Sequence, residues 1–183
     1  MEQWVNQFAD VENDAWYYDA VAFMVQNGWM SGYNDTSFGV SDNLSRAQLV
    51  QILYNVEGKP SVTNNGSFED VPNDAWFANA VTWASSQKLV SGYGNGIFGA
   101  NDAITREQLA VILYHYVGSP QVKGQTMAFD DLNTVSSYAE TAVRWAVENG
   151  IISGMGNNQL CPGATATRAQ VAQMLKNYLD TAS

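Results

Sequence analysis

One cysteine, one histidine and four prolines are all that the 183 residues hold of those types. A single Cys161 excludes an internal disulfide framework, a CxxC redox pair and a structural zinc site. The lone His115 falls in a helix-like stretch with no nucleophile at a recognisable spacing, so a catalytic triad is not expected. Basic residues are scarce as well: 8 Lys and Arg against 18 Asp and Glu give a net charge of −10. So few cations exclude sequence-independent binding to nucleic acid, which needs several of them clustered. No apolar run approaches the roughly 20 residues that span a bilayer, so membrane insertion is not expected. Met1–Phe8 has neither the basic start nor the apolar stretch of an export signal. No phosphate-cradling glycine motif is present. The loops holding Asn34-Asp35 and Asn95 lack the carboxylates of a calcium loop. No metal and no cofactor are expected, and no pair of acids is singled out for hydrolytic chemistry.

What is present is apolar and repeated. A hydrophobic fraction of 46% with 12% aromatics belongs to a globular chain. Laying Phe8–Gly58 over Phe68–Gly118 without a gap gives 22 identities in 51 positions. A third, more diverged copy runs from Phe129 to about Leu179 with small insertions. The reading is three repeats, at 1–58, 68–118 and 129–183, joined by linkers at Glu57–Ser67 and Gly118–Ala128.

Each copy reads as helix, loop, helix. Trp16, Ala20 and Met24 recur every four residues in the first helix, matched by Trp76, Ala80, Ala84 and by Ala142, Ala146. Asp14, Asp74 and Ser136 stand where N-caps are expected, and Gly28 and Gly150 where left-handed C-caps are, with Lys88 in the middle copy. A loop rich in Gly, Asn and Asp follows, with one apolar plug: Phe38, Phe98 or Leu160. Turns and a short strand pair suit such a loop. The second helix opens at Ser45, Thr105 and Thr167, each followed three residues later by Gln48, Gln108 or Gln170 in the capping-box pattern. One helix pair cannot bury its own apolar faces. The expected fold is therefore mainly α, with three helix–loop–helix repeats packed as a pseudo-threefold bundle and the loops projecting. A short open solenoid is the geometric alternative.

Three of the four arginines occupy one repeat position, the first residue of the second helix: Arg46, Arg106 and Arg168. The helix N-terminus carries partial positive charge, so a cation there costs roughly 0.3–1 kcal/mol. Two partners would offset that cost. One is an external carboxylate or phosphate, held jointly by the guanidinium and open helix N–H groups. The other is an internal acid such as Asp10, Asp70 or Asp131, which would make the pair a structural staple. Trp16 and Trp76, with Tyr138 nearest in the third copy, read either as core residues at a helix start or as a platform for a sugar ring.

The recurring order Phe8-Ala-Asp10-Val11, Trp16, Ala20-Val21, Gly32-Tyr33, Phe38 and Leu44-Ser-Arg-Ala-Gln48 resembles a module of the S-layer homology family. The second copy repeats it through Phe68-Glu-Asp70-Val71, Trp76, Gly92-Tyr93, Phe98 and Ile104-Thr-Arg-Glu-Gln108. The third does so through Phe129-Asp-Asp131-Leu132, Gly154 and Thr167-Arg-Ala-Gln170. The resemblance implies a non-catalytic anchoring module, a monomer with internal pseudo-threefold symmetry, outside the cell in a bacterial wall or S-layer. Its ligand would be an acidic, pyruvylated secondary cell-wall polysaccharide held in grooves between repeats. By position, Arg46, Arg106 and Arg168 would receive the acid. Trp16, Trp76 and Tyr138 would line the grooves, and Gly32, Gly92 and Gly154 would let backbone approach the sugar. Asp10, Asp70 and Asp131 would organise the grooves. The departures are Gly39 and Gly99 where the family usually has proline, Gln for the final acid, and Met155 for Tyr in the third copy. The last implies an altered or inactive third groove. The alternative reading is a surface module of the same fold whose grooves bind protein or have lost glycan.

Overall fold

The computed structural model describes residues 4–63, 66, 68–125 and 127–182, with nothing said of the side chain of residue 182. Residues 1–3 of the first expected repeat, residues 64, 65 and 67 of the first linker, residue 126 of the second and residue 183 lie outside the described residues. Six α-helices are present among those described: α1 (Tyr18–Gln26), α2 (Arg46–Val56), α3 (Ala78–Ser86), α4 (Arg106–Tyr116), α5 (Glu140–Glu148) and α6 (Arg168–Ala182). Two single 3-10 turns, Leu132–Thr134 and Ser137–Ala139, lead into α5. The chain is mainly helical, as the periodicity predicts.

The second helix of each repeat starts where its capping box places it. Ser45 and Thr105 accept from the backbone N–H of Gln48 and Gln108 while those glutamines accept from the cap residue's own N–H. Thr167 and Gln170 make the same reciprocal pair. The first helices begin later than predicted. Asp14 and Asp74 do not cap them: Tyr17 and Phe77 stand at the caps and make no side-chain cap bond. A preceding turn takes over that job, with Tyr18 N–H bonded to Ala15 O and Ala78 N–H to Ala75 O. Trp16 and Trp76 therefore sit on the turn, ahead of the helix. Ser136 caps nothing either; its N–H and hydroxyl both donate to Glu107, at 3.0 and 2.7 Å. At the other end, Gly28 and Gly150 take φ of 69° and 67°, and Lys88 adopts the same left-handed turn at 59°. The middle helix thus ends as its counterparts do, at the backbone cost a side chain incurs there.

Helices do not pair within a repeat. α2 packs on α3, α4 on α5, and α6 returns to α1, so each second helix covers the first helix of the next repeat and the last closes on the first. This cyclic order rules out an open solenoid. Where the three repeats meet, Leu44 N–H bonds to Ala166 O (2.9 Å), Ala166 N–H to Ile104 O (3.0 Å) and Ile104 N–H to Leu44 O (2.8 Å). Three buried side chains, Leu44, Ile104 and Ala166, surround that ring of bonds. The strand pair expected in each loop is reduced to one isolated bridge, Asn34 with Ser37; the remaining bridges link different repeats. The plugs Phe38, Phe98 and Leu160 are sealed from solvent, and burying such a side chain contributes about 1.5–3 kcal/mol.

Candidate functional site

Asp10, Asp70 and Asp131 fix each loop to the start of its own repeat. Asp10 accepts from the backbone N–H groups of Phe38, Gly39 and Val40, and Asp70 from Phe98, Gly99 and Ala100. Asp131 accepts from Leu160 and Cys161. Burial pushes the Asp10 and Asp70 carboxyls up, but these donors outweigh it and hold both below the usual range. For Asp131 the Leu160 bond is the leading cause of the same downward shift. The turn wrapped round each carboxylate is left-handed at Gly39, Gly99 and Cys161, with φ of 79°, 78° and 53°. Proline, with its φ fixed near −65°, could not take that place.

The loops so fixed receive the arginines of another repeat. Arg46 donates from Nε to Phe98 O (3.1 Å) and from Nη2 to Ser91 O (3.3 Å). Arg106 does so to Leu160 O (3.0 Å) and Ser153 O (2.5 Å), and Arg168 to Phe38 O (2.9 Å) and Ser31 O (2.6 Å). Two of them are also flanked by rings: Arg168 by Tyr33 and Phe38, Arg46 by Tyr93 and Phe98, all at 4.6–5.0 Å. Leu160 and Met155 replace those rings around Arg106. Arg46, Arg106 and Arg168 are buried residues, 6, 2 and 5% exposed. Desolvation lowers the pKa of Arg106 and Arg168 from its ordinary value.

Both sequence-level accounts of these arginines need correction. None is paired with an acid: the one ion pair among the described residues is Lys176 with Asp180. The helix N–H groups are not open to an anion either. Arg46 N–H bonds to Asp102 O and Ala47 N–H to Ala100 O; Arg106 and Glu107 bond to Ala164 O and Pro162 O; Arg168 and Ala169 bond to Asp42 O and Val40 O. With the cap pair, every orphan donor of the three helix starts is spent. The third guanidinium nitrogen, Nη1, makes no hydrogen bond to the described residues. Among the described residues no buried side-chain nitrogen or oxygen lacks a partner, so Nη1 touches solvent. Each arginine lines one of three surface grooves.

Each groove draws on all three repeats. The first is lined by Gly32 and Tyr33 from one loop, Gln48 and Ile52 from α2, Trp76 from the next repeat and Arg168 from the previous one. The second has Gly92, Tyr93, Gln108, Ile112, Tyr138 and Arg46 in the corresponding places. The third has Gly154, Met155, Gln170, Met174, Trp16 and Arg106. Every predicted ligand-binding residue thus lines a groove, one glycine, one aromatic and one arginine to each. The aromatics are not core: Trp16, Trp76 and Tyr138 are 62, 63 and 62% exposed. The glycines have a structural reason of their own. A Cβ on Gly92 would meet Ile97 O at 2.5 Å and the Phe68 ring at 2.6 Å, and one on Gly32 would strike Phe8. They let the loop close on the opening phenylalanine. Glu107 went unnoticed in the sequence: buried at the start of α4, it holds Ser136 and through it the segment carrying Tyr138. Alanine fills that position in the other copies, at Ala47 and Ala169, and the break in the repeat was the available signal.

The three repeats thus form a ring, each lending an arginine to one neighbour's loop and an aromatic to a shared groove. The S-layer homology domain profile matches residues 7–50, 67–110 and 128–172, and the chain belongs to that family. It is 28% identical over 177 residues to an exoglucanase, XynX, of Acetivibrio thermocellus, covering 94% of this chain but 16% of that one. It is 29% identical over 171 residues to the S-layer protein sap of Bacillus anthracis, 92% of this chain and 20% of the other. A cellulosome-anchoring protein of Acetivibrio thermocellus is 26% identical over 158 residues, 83% and 35% respectively. The chain spans about a third or less of the length of these relatives. No helix among the described residues is long and apolar enough to cross a membrane.

Proposed function

We propose that the chain is a non-catalytic anchoring module that holds a protein at a bacterial cell surface by gripping an acidic wall glycopolymer in its inter-repeat grooves. The observation behind this reading is the composition of each groove: an exposed aromatic beside a guanidinium that has no acid partner. An exposed indole or phenol offers an apolar face to a sugar ring. The arginine keeps its charge and one free N–H-bearing nitrogen for an acidic substituent, such as a pyruvate ketal. In a chain of net charge −10, the arginine in each groove supplies localised positive charge for an anionic polymer. Two relatives are named as an S-layer protein and a cellulosome-anchoring protein, which agrees with a surface location. The enzyme among the relatives is matched over only 16% of its length, leaving ample chain for its catalysis elsewhere.

Co-sedimentation with cell-wall sacculi, before and after chemical removal of the glycopolymer, tests this. Binding is expected to disappear with the polymer, and equal binding to both preparations refutes the proposal. The informative variants are Trp16→Ala and Trp76→Ala. Both side chains stand in solvent, so thermal stability should stay within about 0.5 kcal/mol of the parent while retention on sacculi falls.

A further inference from the structure

The three grooves are not equal. The second encloses about 640 Å³, against about 170 Å³ for the first and about 200 Å³ for the third. At three repeat positions the second groove differs from both of the others. In the first groove Gln51 bonds Asn55, which reaches across to Trp29 O; in the third, Gln173 bonds Asn177, which reaches Gly150 O. Val111 and His115 stand in those places in the second groove, and no such bridge crosses it. Leu89 stands where the first groove has Trp29 and the third has Ile151. At the rim, Lys88 replaces Gly28 and Gly150 and is held at a positive φ that a lysine adopts only at a cost.

These changes bring charge as well as space. Arg46, Lys88 and His115 all line the second groove, whereas its counterparts have arginine alone. Two acids bond to its lining residues and are partnered there: Glu107 accepts from Ser136 and Tyr138, and Asp102 from Tyr93. Lys88 lies three residues before Ser91, whose carbonyl Arg46 holds, a separation of at most about 11 Å of chain. We infer that the second groove takes a glycan segment of two linked sugars carrying two acidic groups, one on Arg46 and one on Lys88 with His115 beside it, while the first and third grooves take one acidic sugar each. This inference rests on the glycopolymer reading above and deepens it.

The molecule contains a built-in way to tell the grooves apart. Tryptophan lines the first groove (Trp29, Trp76) and the third (Trp16), and none lines the second. The whole chain would be titrated with a methyl hexoside bearing one 4,6-pyruvate ketal, and with a disaccharide bearing such a ketal on each ring. Tryptophan emission reads the first and third grooves, and calorimetry reads all three. Both probes should alter tryptophan emission. The disaccharide should add one calorimetric site at least about tenfold tighter, 1.4 kcal/mol, with no tryptophan signal of its own. Lys88→Gly with His115→Asn restores the residues of the other repeats and relieves the positive φ, so the variant should fold. It should lose the tight site and keep the tryptophan titration. Absence of a tighter site, or its survival in the double variant, overturns this inference alone. If neither probe binds by either measurement, the glycopolymer reading falls and carries this one with it.

Discussion

A buried arginine without an acid partner is an unusual solution, and its energetics set what can be learned by mutation. Each guanidinium here answers two backbone carbonyls, one of them in a buried bond to Phe38, Phe98 or Leu160. Removing it leaves the buried carbonyl unsatisfied and opens a cavity at a contact between repeats. Arg106→Ala is accordingly expected to destabilise the fold by about 3 kcal/mol, read as a lowered urea midpoint. Loss of ligand binding in that variant would not by itself reveal a ligand contact. Arg106 is the sharpest case, because it is the most buried of the three and lacks the flanking rings of Arg46 and Arg168. The sequence made the arginine position conspicuous. It could not show the partner, since a backbone carbonyl leaves no mark in side-chain pattern. Trp16 and Trp76 were ambiguous for a related reason: their four-residue spacing to Ala20 and Ala80 continues the helix pattern, but the chain turns one step before the helix begins.

The loop of each repeat is an element held by one carboxylate. Asp10, Asp70 and Asp131 are all more acidic in the folded chain than their ordinary value of 3.8. Folding therefore favours the ionised form. The stability these groups contribute is complete above the unfolded carboxyl range, near 3.9, and drains away as pH falls through the lower folded values. Acid unfolding below about pH 4 should be steep in the parent, and an Asp10→Asn, Asp70→Asn double variant should show a flatter acid limb by circular dichroism. The second helices were fully legible, because a capping box followed by an apolar stripe is a local signal. The first helices were legible in their apolar faces but not in their starts. There the backbone turn at Ala15 and Ala75 supplies the bonds that Asp14 and Asp74 were expected to make.

At the scale of the molecule, the cyclic pairing of α2 with α3, α4 with α5 and α6 with α1 means that no repeat owns a complete core or a complete groove. Repetition in the sequence announced three units and their mutual packing. It was silent on which helix covers which, since an apolar stripe states that a face is buried and not by whom. A chain ending at residue 118 would lose the partner of α1, the partner of α4 and the donor to Phe38 O and Ser31 O together. That fragment is expected to show no cooperative thermal transition, whereas the whole chain should melt in a single one by calorimetry. Persistent two-thirds helicity with a sharp transition in the fragment would mean that the repeats fold independently.

Closure of the ring has an implication for how the covalent thread matters. Contacts that run always forward, from each member to its successor and from the last back to the first, are those of a head-to-tail assembly of separate subunits. The peptide links at the two linkers fix stoichiometry and local concentration, while the tertiary bonds are indifferent to them. Opening the polypeptide at one linker and sewing the present ends together should thus rebuild the same object with its repeats read in a rotated order.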